Sequence, residues 1–132
     1  VLVVCGHHDP ATPARERLNG VDVLRTPVRL RIGKGIVSPS FVPTVARAAR
    51  RARVVNLHLP MLEAGPIALA VRGTPIVSTY QCDVTLPGGV LDQGQVLALD
   101  ASHRLALRRS EAVAVSSADY AQHSKLYAAM DD

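Results

Sequence analysis

The chain has 132 residues, 48% of them hydrophobic and 20% charged, and a formal net charge of +4 from 15 Lys and Arg against 11 Asp and Glu. That size and balance fit one globular domain with its own core and exclude a disordered tail. No run reaches the ~18 apolar residues of a helical membrane span or reads as an export signal, and one Phe, three Tyr and no Trp leave little with which to stack nucleic-acid bases.

Val1 to Cys5 is an apolar run closed by Gly6, the pattern of a buried parallel strand. His7 to Ala14 reads as a polar loop. Asn19-Gly20 is a strong turn signal, and Val21 to Leu24 a short strand. Val28, Leu30 and Ile32 alternate with Arg29 and Arg31 in an extended segment that Gly33-Lys34-Gly35 breaks. Ser38-Pro39-Ser40 offers caps for a helix reaching about Arg53, with Pro43 in its first turn.

Val54 to Leu57 is again a buried strand, followed by the loop His58 to Glu63. Ala64 to Val71 forms a short helix closed by Arg72-Gly73, and Pro75 leads into the strand Ile76 to Thr79. Tyr80 to Gly94 reads as a long loop carrying Pro87-Gly88-Gly89, then come a helix from Gln95 to Arg109 and a strand from Ala112 to Val115. Ser116 or Ser117 caps a last helix ending near Ala129. Helices alternating with strands predict an α/β, Rossmann-like three-layer domain with a mostly parallel sheet, which binds ligands at the carboxyl ends of its strands.

The residues following the strands are therefore the candidates. His7, His8 and Asp9 lack metal-ligand spacing, and adjacent side chains on an extended loop point apart, which favours a ligand-lining loop or a solvated turn. Arg31 and Lys34 flank flexible glycines without the phosphate-loop spacing, so they form either an anion contact or a basic turn. His58 is a ligand group or a backbone-bonded histidine, and Glu63 has helix capping as its simplest role. Gln81 and Asp83 suit hydroxyl recognition, with a local turn cap as the alternative for Asp83. Cys82 has no neighbouring base to make it a nucleophile, and with Cys5 it is expected to be a reduced thiol in a cytoplasmic protein. Arg47, Arg50 and Arg51 share a helix face that either meets anionic lipid or is simply solvated.

The string VVNLHLPMLEAGPIALAVRGTPIVSTYQCDVTLPGG resembles the N-terminal, acceptor-side domain of family-4-like (group 1) glycosyltransferases with the two-Rossmann GT-B architecture. Its carriers are a strand ending in His58, the small-residue helix Ala64 to Val71, and Thr79-Tyr80-Gln81-Cys82-Asp83 in place of a T-[YF]-H-x-D-like segment. The upstream HHDPATPARERLNGVDVLRTPVRLRIGKG and the later AVAVSSADYAQHSKLY are similar to further parts of that domain.

The resemblance implies that residues 1–132 are a single incomplete N-terminal domain. The family's first strand and Gly-rich loop would precede Val1, and the nucleotide-sugar-binding C-terminal domain would lie outside the chain. It implies a retaining hexosyl transfer from a nucleotide sugar to an acceptor hydroxyl, in cell-envelope or exopolysaccharide synthesis. His7, Lys34, His58, Gln81 and Asp83 would line the acceptor, a glycan or a lipid-linked molecule. No catalytic residue is assigned within these residues, which alone would be inactive. The nucleotide sugar enters as co-substrate, with no cofactor or metal implied. Gln81 stands where many members have His, and an amide cannot act as a base at neutral pH. The expected location is cytoplasmic, including the inner face of the membrane through Arg47, Arg50 and Arg51. The alternative is a non-catalytic docking module with an apolar patch for a separate donor-binding chain. A dinucleotide-dependent oxidoreductase is disfavoured, since no GxGxxG follows any strand.

Overall fold

The computed structural model describes residues 1–32, 35–86 and 88–130. Strand β1 (Leu2–His7) pairs in parallel with β3 (Val21–Pro27), whose other edge takes β2 (Arg15–Leu18) antiparallel, in the order β1-β3-β2. Asn19 at φ 48° and Gly20 at φ 84° both adopt left-handed backbone, as a two-residue hairpin turn requires. Strand β4 (Leu30–Ile32) pairs antiparallel with β5 (Gly35–Val37) in a separate two-stranded sheet. The third sheet is wholly parallel: β6 (Val55–Leu59), β7 (Ile76–Tyr80) and β8 (Ala112–Val115), with β7 central.

Helix α1 (Phe41–Ala49) enters this sheet, while α2 (Ala64–Ala70) and α3 (Val90–Arg108) make its crossovers. Phe41, Val45 and Ala49, four residues apart, put one buried stripe of α1 into the core. On β6 Leu57 and Leu59 are buried while Asn56 and His58 are exposed. On β7 Ile76, Ser78 and Tyr80 are buried. The parallel sheet is thus packed on one face and open on the other, unlike the two-sided burial expected from its apolar runs. Buried Ser78 is satisfied by Ser110 at 2.7 Å, whose hydroxyl donates to the Ala106 carbonyl at 2.9 Å. Gly65 lets α2 and α3 approach closely, for a Cβ there would sit 2.9 Å from the Ser102 carbonyl oxygen.

Several boundaries differ from expectation. The segment expected to be loop from His7 to Ala14 is followed by β2, whose RERL sequence gives no strand signal, and which Arg25 and Glu16 brace with an ion pair from β3. α1 stops at Ala49, leaving Arg50, Arg51 and Arg53 beyond its end. Its predicted cap is absent as well, because Ser38 instead donates to Thr26 Oγ1 at 3.0 Å. β6 continues through Leu59, so His58 belongs to the strand rather than to the loop after it. α3 begins at Val90, before Gln95, and carries Gly94 inside it. The last helix is α4 (Ala118–His123), capped by Ser117 as expected, and a separate 3-10 turn covers Tyr127–Ala129.

Candidate functional site

The loops leaving the carboxyl ends of β6 and β7 are held from below by α3 and α4. His103 is almost fully buried, and its Nε2 accepts the Met61 amide at 3.1 Å. The proton of the neutral ring therefore sits on Nδ1. Burial pushes its pKa below the ordinary histidine value, against the opposing pull of Asp100. The preceding residue, Ser102, donates to the Leu62 carbonyl at 2.6 Å and accepts the Gly65 amide at 2.8 Å. Two consecutive α3 side chains thus fix the loop that carries Pro60 to Glu63. Glu63 occupies the cap position of α2 without making a side-chain cap bond. Burial raises its pKa, partly offset by a bond from its own backbone.

The loop after β7 is held by a knot around Asp83. The Tyr80 hydroxyl donates to Asp83 Oδ1 at 2.6 Å, and Ser124 donates to the same oxygen at 3.0 Å. In return the Asp83 amide donates to the Tyr120 hydroxyl at 2.6 Å. Burial first, and then the Asp83 carboxylate, push the Tyr80 pKa well upward, so this hydroxyl stays a donor. Lys125 adds a bond to the Val84 carbonyl at 3.2 Å and an ion pair with Asp100 at 2.9 Å. Gln81 lies between these anchors. Its amide donates to the Leu59 carbonyl at 3.2 Å while its side chain is exposed.

The expected site residues divide accordingly. Gln81 and Asp83 share the braced loop, and His58 lies on the adjacent strand, in register with Thr79. His58 projects onto the open face of the sheet beside the Thr79 hydroxyl, which donates to Asn56 Oδ1 at 3.0 Å. His7 ends β1 in the other sheet, with Nε2 donating to the Thr12 carbonyl at 2.9 Å. None of the described hydrogen bonds ties it to the other three. Asp9 Oδ1 accepts the Ala11 amide at 2.9 Å in a local turn. Lys34 lies outside the described residues.

Sequence reading did not reach Ser102, His103, Tyr120 and Ser124, which hold the two loops from a distance. Among the described residues no three His, Cys, Asp or Glu side chains group to hold a metal ion. Chemically, an exposed amide, an imidazole and the Thr79 hydroxyl at the carboxyl ends of adjacent parallel strands suit a ligand rich in hydroxyls.

The chain matches the family described as "Glycosyl transferase 4-like domain" over residues 1–127. It belongs to that family. Comparisons with curated proteins and with solved structures gave no match.

Proposed function

We propose that this glycosyltransferase domain supplies the acceptor side of a retaining transfer from a nucleotide sugar to an acceptor hydroxyl. In that reaction the anomeric carbon loses its bond to the nucleotide's phosphate oxygen and gains one to the acceptor oxygen. The hydroxyl proton departs, and the nucleoside diphosphate leaves. The carrying observation is the exposed Gln81 side chain on a loop whose backbone is anchored on both sides, next to His58 and Thr79. A rigid loop presenting polar groups orients an acceptor at little entropic cost. Gln81 cannot take the acceptor proton, so it positions the hydroxyl, and the base comes from elsewhere in the ternary complex.

The reading includes a nucleotide-sugar-binding domain outside this chain, a hexose as the group transferred, and a glycan or lipid-linked acceptor in cell-envelope or exopolysaccharide assembly on the cytoplasmic side. Among the described residues no helix is long and apolar enough to cross a membrane. The test is calorimetry of the complete protein with UDP-, GDP- and ADP-sugars, followed by transfer assays. Binding of one donor and transfer that weakens in Gln81→Ala and His58→Ala support the proposal. Absence of binding to every donor sinks it.

Exposed Val90, Leu91 and Leu97 on the first turns of α3 favour a second reading, a docking module for a separate donor-binding chain. It predicts activity only on mixing the two chains.

A further inference from the structure

The amino-terminal edge of the parallel sheet carries a different chemistry from its carboxyl edge. There the connections α1–β6, α2–β7 and α3–β8 meet and are bonded together. Thr74 Oγ1 donates to the Ala49 carbonyl at 2.9 Å, the Val55 amide to the Pro75 carbonyl at 2.9 Å, and the Glu111 amide to the Ile76 carbonyl at 2.8 Å. Every one of these connections bears exposed arginine: Arg50, Arg51 and Arg53 on the first, Arg72 on the second, Arg109 on the third. Arg47 in the last turn of α1 adds to them, and Glu111 is the sole acid within the three connections. The acids Glu63 and Asp83 lie instead on the loops at the opposite edge.

Arginines at helix carboxyl ends are stabilised by the helix dipole, which accounts for Arg47 in the last turn of α1 and Arg108 in that of α3, whereas the last turn of α2 holds no basic residue. That account does not cover Arg51 and Arg53, which follow the end of α1, nor the joining of three such loops into one edge. Half-exposed Val54 sits beside Arg53, giving the cationic edge an aliphatic contact. The three connections contain no aromatic residue for stacking bases. Guanidinium groups bind phosphate oxygens through paired donors.

We infer that this edge docks on the phosphate headgroups of an anionic bilayer, through arginines from all three loops. It widens the contact expected from Arg47, Arg50 and Arg51 to a whole end of the sheet. In this pose the carboxyl edge faces away from the lipid, because five residues of strand at ~3.3 Å each set the two ends about 17 Å apart. Combined with the proposed function, this limits acceptors to those whose hydroxyl stands off the surface, such as the end of a glycan. The docking itself does not depend on that function.

The test is co-sedimentation of the protein with phosphatidylcholine vesicles, with and without phosphatidylglycerol, at about 0.15 M salt. Expected is binding only to the phosphatidylglycerol vesicles. At roughly fivefold per arginine near the surface, R50A/R51A/R53A loses about a hundredfold and R72A/R109A about twenty-fivefold. The control R15A/R29A/R104A removes three exposed arginines elsewhere and retains binding within a few-fold. Equal losses in the control and the edge variants would reduce the effect to net charge and overturn the inference. No binding by the unmodified protein, no loss in R72A/R109A, or tighter binding to single-stranded RNA than to vesicles at the same salt would also overturn it. None of these measurements requires turnover, so failure of the transferase assignment is read separately.

Discussion

Replacing Asp83 by Ala tests whether the loop carrying Gln81 is held as the structure implies. The substitution strands two donors, the hydroxyl of Tyr80, which is 1% exposed, and that of buried Ser124. Leaving a buried polar group unpaired costs about 1–3 kcal/mol each. Because Asp83 is only half-buried, water reaches part of the vacated space, and a total of about 3 kcal/mol is expected. For a domain of this size each kcal/mol moves the midpoint by roughly 4 °C, so D83A should melt about 12 °C lower. Asp83→Asn keeps an oxygen for both donors and loses only the charge assistance, about 1 kcal/mol or ~4 °C. Calorimetric melts of the unmodified protein, D83A, D83N and Y80F, with a Y80F/D83A double variant, provide the measurement. The double variant should show a coupling of about 1 kcal/mol. A D83A midpoint within about 2 °C of the unmodified protein, or a D83N as damaged as D83A, would refute the reasoning.

Gly65→Ala places a Cβ against the Ser102 backbone, so the α2–α3 contact must open, at about 1–3 kcal/mol by denaturant titration. For His103 the folded pKa lies below the unfolded value near 6.5. The unfolded chain therefore binds the proton first, and the stability present above pH 6.5 falls on acidification through the folded pKa. Denaturation midpoints measured across that range should fall in the unmodified protein and change less in His103→Gln, which retains an acceptor for the Met61 amide. Gln81→Ala in the complete protein removes one hydroxyl contact worth about 0.5–1.5 kcal/mol, raising the acceptor KM some two- to tenfold with kcat nearly unchanged. A large fall in kcat at constant KM would give Gln81 a role in the transition state instead.

The parallel sheet was legible because each strand is a short stretch rich in apolar residues between turn formers, and the Asn19-Gly20 hairpin because its dihedral demand is local. β2 was not legible, since RERL is charged and gains its strand conformation only by pairing with Asp22 to Leu24 of β3 and Val21 before them. α3 starts early because Gly89, in extended backbone, stands directly before Val90, whereas Gly94, read as loop, costs only about 1 kcal/mol inside a long helix. The knot at Asp83 spans 37 residues to Tyr120 and 41 to Ser124, and the Met61–His103 bond spans 42. No spacing rule links residues at such separations, so the groups that position the site are visible only once the chain has folded.

His58 shows where a different weighting of the same sequence signal leads to the observed structure. Reading Val54 to Leu57 as a strand buried on both faces requires the polar His58 to end it. The segment Val55-Asn56-Leu57-His58-Leu59 alternates apolar and polar residues, the period-two pattern of a strand with one wet face. Its apolar members pack against the helices, and Asn56 and His58 face outward with Thr79 from β7. The functional consequence follows from the pleat. A residue after the strand reaches a ligand from the sheet's edge, whereas His58 reaches it from the open face, one register step below Leu59 and Tyr80. An acceptor touching both His58 and Gln81 must therefore bend over the carboxyl end of β6 and β7 onto that face. A His58→Ala, Gln81→Ala double variant should then lose more acceptor affinity than a ligand confined to the edge loops would, the sum of the two single losses within about 0.5 kcal/mol. If His58→Ala leaves the acceptor KM unchanged, the acceptor stays on the loops and the open face plays no part in binding it.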